Sequence, residues 1–140
     1  MKHLQLGAPS GAGALVPSVV SMMLESIGWE IRTVEIDLVA GRSVLELHRF
    51  DGPWVHLSAR LEGKVTIERW QRETVMSCGN DGVRGAPRNV IQDRFLGRTS
   101  CPGTRSALRV LSDYLVDNPE PGRAALPAAT VRDAVRLLMT

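Results

Sequence analysis

The chain has 140 residues, with 17 lysines and arginines against 15 aspartates and glutamates, so its formal net charge is only +2. This length suits a single domain over residues 1–140 that buries its core without metals or disulfides. Two cysteines are too few for a disulfide scaffold, and nothing resembles a signal peptide or the roughly 18 apolar residues of a membrane span. We therefore expect a cytoplasmic protein that does not enter a membrane.

The first predicted elements are an arm and a helix. Residues 1–14 are rich in glycine, alanine and proline and are expected to form a flexible arm. The segment Pro17–Ile27 places apolar side chains at helical spacing, with proline near the first turn and Gly28 as the stop signal. One amphipathic helix is predicted here.

Four consecutive runs between about residues 30 and 76 alternate apolar and polar side chains, which is typical of strands with one buried face. Turns at Gly41–Arg42, Asp51–Pro53 and Glu62–Lys64 join them and predict an antiparallel meander. A slip of one residue would mix the two faces. The expected pairs on the apolar face are Leu38 with Leu45, Ile36 with Leu47, Leu47 with Leu57, Leu45 with Ala59, Leu61 with Val65, and Ala59 with Ile67.

The same register predicts which polar and aromatic side chains share the second face of the sheet. The expected rows are Glu35, His48, His56 and Trp70; then Asp37, Glu46, Ser58 and Glu68; then Thr33, Phe50, Trp54 and Arg72. Asp37 would directly oppose Glu46, and like charges so placed are destabilising. Solvent screening, nearby arginines or a bound cation would each relieve this repulsion.

Three interpretations of the second face remain open: a solvated surface, a partner or subunit interface, and a metal or catalytic site. Tryptophan with arginine is a composition typical of interface centres, so the predicted partner-binding residues are Trp54, Trp70, Phe50, His48 and His56. The candidate ligands for zinc or another divalent metal are His48, His56, Glu35 and Glu46. Ser58 near the histidines would lack an oxyanion hole, so the pattern leans against an enzyme.

The segment 77–103 shows no clear periodicity and is expected to be long and irregular, although Asn89–Leu96 could form a strand or a helical turn. Cys78 and Cys101 flank it and are expected to be reduced thiols, with a bridge between them left open. Six arginines share the window 84–109 with a single acid, Asp93. The candidate residues for nucleic acid or another anionic ligand are Arg84, Arg88, Arg94, Arg98, Arg105 and Arg109.

Two further helices are predicted, over Thr104–Val116 and Pro127–Met139, each with one apolar stripe. An apolar sheet face needs a cover, and these helices can supply it. The expected fold is therefore α+β: an N-terminal helix, a four-stranded antiparallel meander, an irregular arginine-rich segment, and two C-terminal helices on one sheet face.

The functional prediction follows from the surfaces, since no catalytic motif is present. The leading hypothesis is a small non-catalytic binding, adaptor or inhibitor protein that acts through protein contacts and forms a homodimer. The alternatives are nucleic-acid binding through Arg84–Arg109 and a divalent-metal site on the polar face.

Overall fold

The computed structural model describes residues 15–37, 39–77 and 88–139. The predicted arm 1–14, Leu38, Cys78 and Arg84 lie outside these ranges. The elements in chain order are α1 (Leu15–Ser26), β1 (Trp29–Asp37), β2 (Arg42–Arg49), β3 (Pro53–Arg60), β4 (Val65–Ser77), β5 (Arg88–Cys101), α2 (Thr104–Asp117) and α3 (Ala128–Leu138).

Within the described ranges, three helices accompany a five-stranded antiparallel sheet of order β1-β2-β3-β4-β5, which confirms the predicted α+β class. The prediction of four strands was wrong, because Arg88–Cys101 forms a fifth strand, β5, that pairs with β4. The segment predicted to be irregular is therefore a strand over most of its described part, and of the two alternatives left open for Asn89–Leu96 the strand is confirmed. Residues 78–87 lie outside the described ranges. Most of β5 is exposed, so its side chains do not need to alternate between apolar and polar. Its backbone pairing with β4 makes it a strand, and no local pattern signals that pairing.

The cross-strand pairs differ from the prediction by an even number of residues at each turn. The observed pairs include Val34 with Leu45, Ile36 with Ser43, Leu45 with Leu57, Leu47 with Val55, Leu57 with Ile67, and Ala59 with Val65. Outside the irregular start of β1, this even shift keeps a side chain on its predicted face but changes its neighbours. The predicted like-charge pair is therefore absent: Asp37 opposes Arg42, and Glu46 opposes Thr33.

The turns explain the shifts. After β1, the Asp37 carboxylate accepts hydrogen bonds from the backbone N–H groups of Val39 and Ala40, at 3.1 and 3.0 Å, and the turn is longer than two residues. Between β2 and β3 the turn is residues 50–52, because Pro53 already belongs to β3. Between β3 and β4 the turn includes Leu61, whose side chain is 78% exposed.

A register irregularity in β1, between Ile31 and Thr33, changes which side chains face the helices. Before it, Trp29 and Ile31 lie on the inner face; after it, Val34 does. Such a bulge inserts one extra residue and so reverses the alternation. The indole of Trp29 is thereby fully buried. The sequence prediction assumed an uninterrupted alternation from about residue 30 and did not indicate this burial.

The core lies between one sheet face and the helices. α1 contacts β1, α2 contacts β4 and β5, and α3 contacts both α1 and α2. Their apolar stripes and the inner faces of the strands form one cluster: Val20, Leu24, Ile27, Trp29, Leu45, Leu47, Val55, Leu57, Val65, Ile67, Cys101, Ala107, Leu111, Leu115, Val131, Ala134, Val135 and Leu138. In residues 15–37, 39–77 and 88–139, no helix has the length and apolar character required to cross a membrane.

Candidate functional site

We call the sheet surface opposite the helices the outer face. None of the described helices packs on it, since all three join the core on the other side. The rows of directly opposed residues on the outer face are Glu30, His48, Trp54, Trp70 and Phe95; Thr33, Glu46, His56, Glu68 and Arg98; and Glu35, Val44, Ser58, Thr66 and Ser100. The outer face is thus divided into three chemically different bands.

The first band contains four contacting rings, His48, Trp54, Trp70 and Phe95, which we call the aromatic row. His48 and Trp54 are stacked with centroids 4.8 Å apart, and Trp54 and Trp70 are stacked at 5.4 Å. Phe95 meets Trp70 edge to face at 5.2 Å. Offset stacking and edge-to-face contact are the favoured geometries of aromatic pairs. Trp54 is therefore stacked on both of its faces, by His48 and by Trp70.

The structure groups the predicted partner-binding residues only in part. His48, Trp54 and Trp70 belong to the aromatic row, whereas Phe50 lies in the turn after β2, where the Arg123 guanidinium lies 5.2 Å from its ring centroid. His56 lies in the second band. Phe95 completes the row and was missed, because only the assignment of β5 as a strand places it beside Trp70.

In the second band, the Glu46 carboxylate bridges two histidines. It accepts hydrogen bonds from His48 Nε2 at 3.2 Å and His56 Nδ1 at 2.8 Å, and these nitrogens therefore carry the protons. Burial alone would raise the pKa of the Glu46 carboxyl, but the bonds from His56 and His48 outweigh burial and hold that pKa below its usual value. Glu46 is accordingly an anionic acceptor that orients both rings.

His48 is itself buried, with 7% of its surface exposed. Burial disfavours the imidazolium and lowers the pKa of His48, assisted by the positive charges of Arg32 and Arg72, although the hydrogen bond to Glu46 acts in the opposite direction. A neutral imidazole stacked on Trp54 is the consequence at neutral pH.

This burial predicts a pH dependence of stability. The unfolded chain binds a proton at His48 near the ordinary pKa of 6.5, whereas the folded chain resists it, so the free energy of unfolding falls as pH decreases below that value. We expect the loss of thermal stability between about pH 7.5 and about pH 5.5 to be smaller in His48→Gln than in the unmodified protein. An NMR titration of the His48 ring should give a midpoint below 6.5. Equal pH slopes in the two proteins would contradict the burial argument.

The predicted metal ligands are not all brought together. His48 and His56 each donate a hydrogen bond to Glu46, but Glu35 opposes Val44 in the third band. Among the described residues, no group of three or more His, Cys, Asp or Glu side chains is placed to hold a metal ion.

Two arginines near the aromatic row are held by acids. Asp93 accepts hydrogen bonds from the Arg72 guanidinium at 3.1 Å and from the Trp54 indole N–H at 3.0 Å, and these bonds lower the pKa of Asp93. Arg98 Nη2 lies 2.7 Å from the Glu68 carboxylate, and this bond lowers the pKa of Glu68. The row is therefore flanked by neutralised ion pairs.

The Trp70 indole N–H differs from that of Trp54. It is buried and forms no hydrogen bond of ordinary geometry with any described residue. It lies close enough to the Glu68 carboxylate to contribute to the low pKa of that group. The centre of the aromatic row thus retains a donor that is not fully satisfied.

The six arginines predicted to bind an anion do not share one surface. Arg98 lies on the outer face, while Arg94 lies on the other side of β5 and pairs with Glu73 at 3.3 Å. Arg105 and Arg109 are exposed on α2, in the helical layer. Arg88 begins β5, and Arg84 lies outside the described residues.

Comparison with known proteins adds no assignment. No protein-family model matches the sequence, and neither the curated proteins nor the solved structures contain a significant match.

Proposed function

We propose that the protein is a non-catalytic binding protein that recognises a protein surface through the aromatic row, and that a second copy of the chain is the partner, giving a homodimer. The observation that carries this proposal is the continuous row from His48 to Phe95 across four strands, on a sheet face that no described helix covers. Aromatic side chains with arginine at the margin are typical of interface centres.

The geometry of the rings favours a protein partner over single-stranded nucleic acid. Bases bind aromatic side chains by stacking on open ring faces. Trp54 is stacked on both sides, and the guanidinium of Arg98 lies 5.8 Å from the centroid of Phe95. The central ring of the row therefore has no open face for a base, and Phe95 already has a cation beside it, which suits packing against protein side chains better than base stacking.

The charges beside the row support self-association. Asp93 and Glu68 are paired with Arg72 and Arg98, so both signs of charge lie on the same surface and their local sum is close to neutral. A surface of this kind can meet its own copy across a two-fold axis, because acids of one copy can lie against arginines of the other. It exerts little attraction on a polyanion.

Light scattering of the purified protein, from about 1 µM to about 100 µM, tests the proposal. We expect a dimer whose mass is insensitive to salt, because ring packing rather than exposed charge holds it together. Phe95→Ala should weaken dimerisation by about 30-fold, the effect of losing a central interface residue worth about 2 kcal/mol.

Phe50→Ala is the matched control. Phe50 and Phe95 are exposed to nearly the same extent, 46% and 47%, but only Phe95 belongs to the aromatic row. A monomer throughout the concentration range would refute self-association. A dimer that both variants leave unchanged would place the interface elsewhere.

A further inference from the structure

The second and third bands of the outer face together line a cavity of about 410 Å³ that shares no residue with the aromatic row. We call it the hydroxyl pocket. Its lining residues are His56, Ser58, Arg60, Lys64, Thr66, Glu68, Arg98 and Ser100. The pocket extends from His56, Glu68 and Arg98 of the second band toward the turn between β3 and β4.

The middle of the pocket is a line of three hydroxyl groups. Ser58 directly opposes Thr66, and Thr66 directly opposes Ser100, so the three side chains lie on adjacent strands that are about 4.8 Å apart. None of these hydroxyls is hydrogen-bonded to another described residue. Three donors in a line are therefore available to a ligand.

Positive charge borders these hydroxyls on two sides. Arg60 and Lys64 are exposed and form no ion pair with the described residues. Arg98 lies on the opposite side, in the second band, and uses Nε and Nη2 to bind Glu68, the single acid among the described lining residues. Three cations against one carboxylate leave this lining with an excess of positive charge.

We propose that the hydroxyl pocket binds a small phosphate monoester. A phosphate group has three terminal oxygens that accept several hydrogen bonds at once, and arginine, lysine and hydroxyl side chains are its usual donors. A cavity of about 410 Å³ has room for the phosphate and a small organic group attached to it, within the range of ordinary ligand pockets.

A compact ligand suits this site better than a nucleic-acid strand. A strand needs a groove that stays positive along the backbone. On the side toward the aromatic row the pocket is bordered by Glu68 and Glu46, whose carboxylates would repel successive phosphates. The positive potential is therefore local.

The test is isothermal titration of the full chain with glucose 6-phosphate, glucose and inorganic phosphate at constant ionic strength. Saturable binding is expected for the two phosphates and none for glucose. Lys64→Ala and Thr66→Val should each weaken binding at least about tenfold, since a hydrogen bond to a charged group contributes roughly 1.5–3 kcal/mol. Thr66→Val keeps the branched shape that suits a strand, so β4 is expected to persist.

Arg105→Ala is the control for a general loss of positive charge, because Arg105 is exposed on α2, outside the pocket. Equal weakening by Arg105→Ala and Lys64→Ala, or no effect of Thr66→Val, would overturn the proposal by indicating diffuse attraction. Tighter binding of a short oligonucleotide than of glucose 6-phosphate would also overturn it. Lys64 and Thr66 belong neither to the aromatic row nor to the ion pairs beside it, so a loss of phosphate binding in these variants is distinguishable from a loss of the dimer in Phe95→Ala.

Discussion

Replacing Trp29 by alanine is expected to lower the free energy of unfolding by about 3–5 kcal/mol, the usual cost of truncating a large buried aromatic side chain. Trp29 is fully buried, and its indole N–H donates a hydrogen bond of 2.8 Å to the backbone oxygen of Asn118. Its ring meets Tyr114 edge to face at 5.9 Å. One side chain thus joins the first strand to the end of α2.

Urea denaturation followed by circular dichroism measures this effect. Trp29→Phe serves as the partial variant, since it keeps an apolar ring but removes the donor to Asn118. We expect Trp29→Phe to lower the free energy of unfolding by less than Trp29→Ala does. The expected loss for Trp29→Phe is about 1–3 kcal/mol, from the lost hydrogen bond and the smaller ring. A loss below about 1 kcal/mol for Trp29→Ala would show that α2 does not depend on this contact.

The second large effect is expected at Gly52, in the turn between β2 and β3. Its φ of +132° is unfavourable for any residue with a Cβ, and a Cβ there would lie 2.6 Å from the backbone oxygen of Arg72. The Arg72 N–H also donates to the Gly52 oxygen at 2.9 Å, so neither backbone segment can move away without breaking that bond. Gly52→Ala should destabilise the fold by roughly 2–5 kcal/mol, combining backbone strain with the steric clash.

Gly63→Ala is the matched control for backbone strain. Gly63 also has a positive φ, +94°, but apart from its own chain neighbours no atom of the described residues lies within 4 Å of the position that an alanine Cβ would take there. We expect Gly63→Ala to lower the free energy of unfolding by only about 1–2 kcal/mol, which is the cost of placing a residue with a Cβ at positive φ without a steric clash. Measured by denaturant unfolding, the difference between the variants reports the clash with β4. Equal losses would mean that the turn at Gly52 adapts freely.

Much of the fold follows from local pattern. Helical spacing with Pro17 and Gly28 at its margins predicted α1, and two-residue alternation predicted β1 to β4. The two faces of those strands were also assigned correctly over most of their length, because even shifts in register preserve the side on which a residue lies.

The neighbours on each face were not predictable in the same way. They depend on the position and length of each turn. The turns that follow Asp37, Arg49 and Arg60 each begin earlier than the turns predicted from the glycines in these segments. The predicted register placed His48 opposite His56, but in the structure His48 opposes Trp54 and His56 opposes Glu46. His48 is therefore part of a ring stack, and Glu46 bridges the two histidines that were predicted to bind a metal together.

The amino-acid sequence by itself determined the class of the fold, the helices and the face on which most strand residues lie, because periodicity and turn residues act over short distances along the chain. Only the tertiary structure decided the rest. The pairing of β5 with β4 brings Phe95 to the aromatic row and Arg98 and Ser100 to the hydroxyl pocket. The bulge in β1 buries Trp29. Both depend on backbone pairing between segments distant in sequence, whose stability comes from contacts that no single segment contains.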